Sequence, residues 1–469
     1  MATPRDYAAL VGLIDRAADR LRGSVIWNVN STASGGGVVE LLRPLLGYCR
    51  GSGVDARWAV ITGGPAFFDL TKRLHNHLHG FDGDGGNVSD GERAVYEATL
   101  AASARELASM LRPDDVVILH DPQTAGLVDA VKHSGATAIW RCHVGLDHPN
   151  ALARQAWSFL RPYVLDADAY VFSRPTFAWE GLDPQKISVI HPSIDAFSAK
   201  NQDQTPDQAL AILTRAGIVA GRRDGAAFTR DDGTPGRVDR RATVLREAAL
   251  APDDRTVVQV SRWDALKDPV GVLTGFAEHV AARSDAHLVL AGPSTDAVTD
   301  DPEGARVLEQ ATDAWRRLPR SMRRRVHLAS LPMSDPDENA AIVNALQRHA
   351  AVVVQKSLAE GFGLTVAEAM WKERPVVASA IGGIQDQIVD GESGVLLSDA
   401  RDLAAFGDAV SALLQDPYRS RRIGTAARER IREHFLGPRH LAQFFDLIET
   451  VTAARPSVRP VEIGTRGSR

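Results

Sequence analysis

Two glutamates bracket a glycine-containing stretch in EGFGLTVAE, Glu360 to Glu368, with seven residues between them. Good helix formers follow Gly363 and Thr365 falls in the first turn, so LTVAEAMW, Leu364 to Trp371, reads as a helix. Glu368 then lies on that helix and Glu360 in the loop that feeds it. Eight positions at about 1.5 Å rise make about 12 Å of helix-equivalent path. Carboxylates that serve as acid and base on one glycosidic bond stand only about 5–9.5 Å apart. The pair therefore suits one extended ligand with hydroxyls at two places, gripped at both. Unpaired N–H groups of Phe362, Gly363 and Leu364 at the helix start would face the same ligand.

Four further stretches carry chemistry. STASGGG, residues 31–37, ends in Gly35, Gly36 and Gly37 and runs into the helical pattern VVELLRPLLGYCR. A flexible loop that delivers backbone N–H groups and a helix N-terminus to one spot suits phosphate; a plain strand-to-helix turn is the alternative. Its spacing is neither GxGxxG nor a P-loop, which argues against a dehydrogenase-type dinucleotide site. In VSRWDALKDP, residues 260–269, Arg262 and Lys267 offer a planar fork and a point charge that could neutralise a diphosphate. Simple pairing with Asp264 or Asp268 is the competing reading. WRCHVGLDHPN, residues 140–150, puts His143 at a strand end, where imidazole can meet a sugar hydroxyl or a developing charge. HDPQ ends the preceding strand and adds His120, Asp121 and Gln123 to the same rim, with Asp147 nearby. HNHLH places His75 and His79 on one helix face, but with no third ligand indicated no metal site is expected, and both read as surface helix. DGDGG, residues 82–86, lacks the closing glutamate of a calcium loop.

Positioning these groups requires strands that end at one edge. Short β-branched runs alternate with helical patterns throughout: VIWNV, ARWAVIT, VVILH, AIWRCH, AYVFS and ISVIH in the first half, then TVVQVS, HLVLAG, RVHLAS, AVVVQKS, PVVAS and GVLLS. That alternation predicts an α/β protein of two doubly wound, Rossmann-like domains, residues 1–195 and 196–435, facing across a cleft where ligands bind. The chain of 469 residues is long enough for two cores. Residues 436–454 suggest a helix that could cross back to the first domain. The Arg/Gly-rich insertion at 215–247 is expected to be either disordered or a lid. The basic, Pro-containing tail at 455–469 reads as disordered. A net charge of −5 argues against a nucleic-acid partner, and no apolar run reaches membrane length. Two cysteines and an N-terminus of mixed Asp and Arg suggest a cytoplasmic protein.

EGFGLTVAEAM, SRWDALKD, WRCHVGLDHPN and HDPQ together resemble the retaining GT-B glycosyltransferases of the fourth family, in its trehalose-synthase-like branch. The resemblance implies a nucleoside-diphosphate sugar as donor, a sugar acceptor and no required metal or other cofactor. It implies that Arg262 and Lys267 hold the diphosphate, and that Glu360 with the amides of Phe362, Gly363 and Leu364 holds the sugar hydroxyls. Glu368 would bind the ribose, Gly35–Gly37 would close over phosphates and acceptor, and His143 would lie near the anomeric carbon. His120, Asp121, Gln123 and Asp147 are the candidate acceptor contacts. Where branch members commonly carry an acidic residue two positions after the histidine, this chain has Gly145. The expected reaction is glucosyl transfer to glucose or a related acceptor, giving an α,α-trehalose-type product. Alternatives are phosphorolysis of trehalose, a specialised sugar or cyclitol conjugate, nucleotide-sugar isomerisation and non-catalytic sensing. Partners are expected to be small molecules, with a homodimer as the allowed assembly.

Overall fold

The computed structural model describes residues 4–33, 36–86, 88–295 and 302–453. Gly35 and the tail from Arg455 lie outside them. Six strands build the first sheet: β1 (Ile26–Asn30), β2 (Ala56–Val60), β3 (Val116–His120), β4 (Thr137–Cys142), β5 (Ala169–Phe172) and β6 (Ile187–Val189). They are parallel and ordered β2-β1-β3-β4-β5-β6. Most of these runs are apolar because the sheet is covered on both faces. Alternate residues confirm it: Trp27, Val29, Val117 and Leu119 pack with the helices on one face, whereas Ile26, Val116 and Ile118 pack on the other.

The second half contributes β7 (Ala227–Thr229), β8 (Pro235–Arg237), β9 (Thr243–Leu245), β10 (Thr256–Val260), β11 (His287–Pro293), β12 (Val326–Leu331), β13 (Val352–Gln355), β14 (Val376–Ser379) and β15 (Val395–Leu397). Seven form a sheet ordered β15-β14-β13-β10-β11-β12-β9, parallel except where β9 runs antiparallel to β12. Each sheet reverses its winding once, between β1 and β3 and between β13 and β10. Ligand crevices open at such reversals, beyond the carboxyl ends of the strands. The glycine loop, HDPQ, SRWDALKD and EGFG all emerge from those four strand ends.

The helix Gly437–Ala453 closes the chain on the first domain. Its Leu441, Phe444, Phe445 and Ile448 join the core that contains Ile26 and Ile118. Here Arg141, fully buried on β4, meets His440 Nε2 at 2.9 Å, and Ser193 Oγ meets His440 Nδ1 at 2.8 Å.

The segment 215–247 is neither disordered nor an unattached lid. β7 and β8 pair as a hairpin, and β9 extends the main sheet. Arg230 grips Asp335 with two bonds of 3.0 and 2.8 Å, Arg240 pairs with the buried Glu338, and Phe228 and Val238 join the second domain's core. Arg230 and Arg240 are its anchors. Strands of three residues with Gly and Arg between them carry no period long enough to read. Among the described residues no helix is long and apolar enough to cross a membrane.

Candidate functional site

On the first domain, neighbouring strand ends bring two histidines face to face. His120 ends β3 and His143 follows β4; their rings stack at 5.4 Å, and His120 Nδ1 meets His143 Nε2 at 3.1 Å. His120 Nε2 lies 3.1 Å from Asn28 Oδ1, on β1 across the winding reversal. With that amide oxygen accepting, the proton of His120 sits on Nε2, and Nδ1 accepts from His143 Nε2–H. That leaves the Nδ1 lone pair of His143 for a hydroxyl. Burial, with the charge of Arg141 second, holds both imidazoles well below the usual histidine range, so the chain of rings is neutral. Asp121 Oδ1 accepts the backbone N–H of His143 at 2.7 Å and fixes the turn. Burial lifts the Asp121 carboxyl to about 7 against the pull of that amide and of Arg141. His120 and Asp121 therefore support His143 rather than lie open on the rim. Gln123 stays half-buried on the short helix Asp121–Thr124.

The second domain presents charge. Lys267 Nζ donates to Glu360 Oε2 at 2.6 Å, joining the loops after β10 and β13. Arg262, half-exposed, reaches Asp264 Oδ2 at 3.0 Å. Burial pushes the Asp264 carboxyl up, but Arg262 and Lys267 outweigh it and hold it below the usual range. Asp268 instead caps the helix Pro269–Gly275 through Gly271 N and pairs with the buried Lys356. Phe362 is buried, and Gly363 takes φ 87° as the cap of Leu364–Trp371, a left-handed turn that favours glycine.

The two rims touch. A Cβ on Gly361 would stand 2.8 Å from the carbonyl O of His143, so only glycine lets the glutamate loop lie against that strand end. Gly36, φ 85°, caps the helix Gly37–Gly51, and Gly37 faces the Leu364 side chain across the joint. Asp147 spans the gap: Oδ1 meets Arg174 Nη1 and Thr176 Oγ1, both at 2.8 Å, and Oδ2 accepts from Gly382 N at 3.2 Å and Gln385 Nε2 at 3.0 Å. Its oxygens are spent on the domain joint, not offered to an acceptor. At Gly145 a Cβ would collide with the Phe177 ring, so no acidic side chain fits there without repacking.

His75 and His79 correct the sequence reading. Their rings stand 5.0 Å apart, and His79 is buried, where burial and the charge of Lys267 lower its pKa to about 4. The helix Pro65–Leu78 carries this face against the second domain, with Lys72 3.7 Å from Glu303. A helical spacing of i, i+4 marks one face without saying what covers it. Among the described residues, no group of three or more His, Cys, Asp or Glu forms a metal cluster.

Glu368 is almost wholly covered. Lys200, from the segment between the domains, lies 3.6 Å from Glu368 Oε1 and 2.8 Å from Glu40 Oε1, while Glu368 Oε2 is buried with no hydrogen-bond partner. Leaving a buried acceptor unpaired costs about 1–3 kcal/mol, more when charged. Burial accordingly raises the Glu368 pKa, and Lys200 opposes the rise. Lys200 had no motif signal: it sits outside every strand-end stretch, and folding alone brings it there.

Comparison with known proteins agrees with this layout. Residues 28–179 match the model of the trehalose synthase N-terminal domain, and residues 241–430 match glycosyl transferases group 1. A trehalose synthase from Rubrobacter xylanophilus is 35% identical over 93% of this chain and 94% of its own. A trehalose phosphorylase from Pleurotus sajor-caju is 25% identical over 84% of this chain but 53% of its own. The crystal structure of a UDP-forming α,α-trehalose-phosphate synthase from Burkholderia xenovorans superposes with a TM-score of 0.67 at 14% identity, covering 91% of this chain and 99% of that one. With two Rossmann-like domains facing across a cleft, the chain belongs to the trehalose synthase family of GT-B glycosyltransferases.

Proposed function

We propose that this enzyme is a retaining hexosyltransferase that moves glucose from a nucleoside-diphosphate glucose to glucose or a closely related acceptor, forming an α,α-trehalose-type product. The observation that carries the reading is the meeting of opposite chemistries: the Lys267–Glu360 pair with Arg262 beside it, and neutral His143 packed through its carbonyl against Gly361. Arg262 and Lys267 neutralise the donor's diphosphate, and Glu360 with the amides of Phe362, Gly363 and Leu364 takes the sugar hydroxyls. As the anomeric C–O bond to the diphosphate breaks, the acceptor oxygen attacks the same face, and its proton passes to the departing diphosphate oxygen. Cations fixed in place favour that separation because they need not reorganise as charge develops. His143 accepts a sugar hydroxyl through Nδ1 and keeps the donor ring aligned. The reaction calls on no divalent metal, so a chelator should leave the rate unchanged.

The test is purified protein incubated with ADP-, UDP-, GDP- and dTDP-glucose plus glucose. The expected outcome is one nucleoside diphosphate released per disaccharide, with both anomeric centres α by NMR. Absence of both products overturns the reading. Glucose 1-phosphate formed from trehalose and inorganic phosphate, without nucleotide, would point to phosphorolysis instead.

A further inference from the structure

The covered state of Glu368 conflicts with a passive role in ribose binding. Its side chain is 3% exposed, and the group above it is an ammonium, that of Lys200. A ribose hydroxyl can reach the carboxylate only if that ammonium gives way. Two facts say where it goes. Lys200 already stands closer to Glu40, at 2.8 Å, than to Glu368, at 3.6 Å. Glu40 lies in the first turn of Gly37–Gly51, the helix that the glycine loop feeds. The backbone around Lys200 is meanwhile held by the second domain: Ala199 N donates to Asp231 Oδ1 at 2.8 Å, and Asn344 Nδ2 donates to Ala199 O at 3.1 Å.

We propose that Lys200 is a further positioning residue for the transfer: it guards the ribose carboxylate and passes wholly to Glu40 as the donor seats. Its shift exchanges one ion pair for another. The charge of Glu368, which burial makes costly alone, is compensated first by the ammonium and then by the ribose hydroxyls with Lys372 close behind. The gain is coupling. Donor binding strengthens a bond that already runs from the second domain's anchored segment to the helix of the glycine loop, so a seated nucleotide tightens the joint between the domains. This rests on the reading of Glu368 as the ribose contact.

Calorimetric Kd values for ADP, UDP, GDP and their 2′-deoxy counterparts, on the full chain, test both layers. Glu40 is half-exposed, so E40Q is expected to fold normally. With Glu40 neutralised, the ammonium rests on Glu368 and nucleotide binding should weaken about threefold. K200M removes the competitor; it should tighten binding and abolish the effect of E40Q, the signature of a coupled pair. Lys200 loses the proposal if E40Q leaves Kd unchanged or weakens binding equally in the K200M background. E368Q separates the two layers. If it leaves Kd and the ribose-to-deoxyribose preference untouched, the ribose assignment itself fails; if it shifts them while E40Q does nothing, only the role of Lys200 falls.

Discussion

The two sides of the cleft solve the same problem with opposite electrostatics. The first domain ends its strands in a neutral relay, Asn28–His120–His143, buried and backed by Arg141. The second ends its strands in ions: Lys267 on Glu360, Arg262 on Asp264. A neutral relay holds geometry at any moderate pH, whereas a charged rim waits for an anion. The difference teaches where binding and alignment reside: the charged rim should govern donor capture and leaving-group departure, and the neutral rim should govern alignment.

The sharpest way to break this contrast is K267A. On the proposed reading it removes a cation from the leaving group and takes from Glu360 its ion-pair partner, so kcat/KM should fall about 1000-fold, with donor KM raised. H143A should cost about 100-fold in kcat with donor KM nearly unchanged; a large KM effect would merge the two rims into one binding surface. G361A inserts a Cβ 2.8 Å from the His143 carbonyl and must spread the rims. A displacement near 1 Å is worth up to about 100-fold in rate, so we expect about 10-fold loss in kcat with the melting temperature almost intact.

The smallest effect concerns pH. The folded-state pKa of Asp121 is raised to about 7, so between the ordinary carboxylate range and pH 7 the folded chain holds a proton that the unfolded chain has released. Stability contributed at acid pH is then lost as pH rises through 7, the sign expected when the native state binds the extra proton. D121N keeps an acceptor for the His143 amide and removes the titration. Thermal unfolding from pH 5 to 8 should show the wild type losing stability relative to D121N as pH rises. Parallel curves would mean that the carboxylate is already ionised.

How much of this was legible beforehand follows from the range of each signal. The strands from VIWNV to GVLLS were readable because buried parallel strands are short apolar runs, and strand-end motifs follow them directly. The hairpin and β9 were not, since three-residue strands rich in Arg and Gly have no period. His75 and His79 were assigned to solvent because spacing reveals a face, not its cover. Asp147 looked like an acceptor contact by proximity to His143 in the chain, yet its bonds run to Gly382 and Gln385, distant in sequence.

Local order alone therefore determined that this chain forms two α/β domains with Arg262, Lys267, Glu360 and His143 at strand ends, because strand periodicity and loop composition are short-range properties. Only the tertiary structure decided that Lys267 meets Glu360, that Gly361 lies against His143, and that Lys200 covers Glu368. Those contacts join segments far apart in the chain: Lys267–Glu360 and Lys200–Glu368 form as the second domain packs, Gly361–His143 as the two cores dock, and no local pattern encodes either.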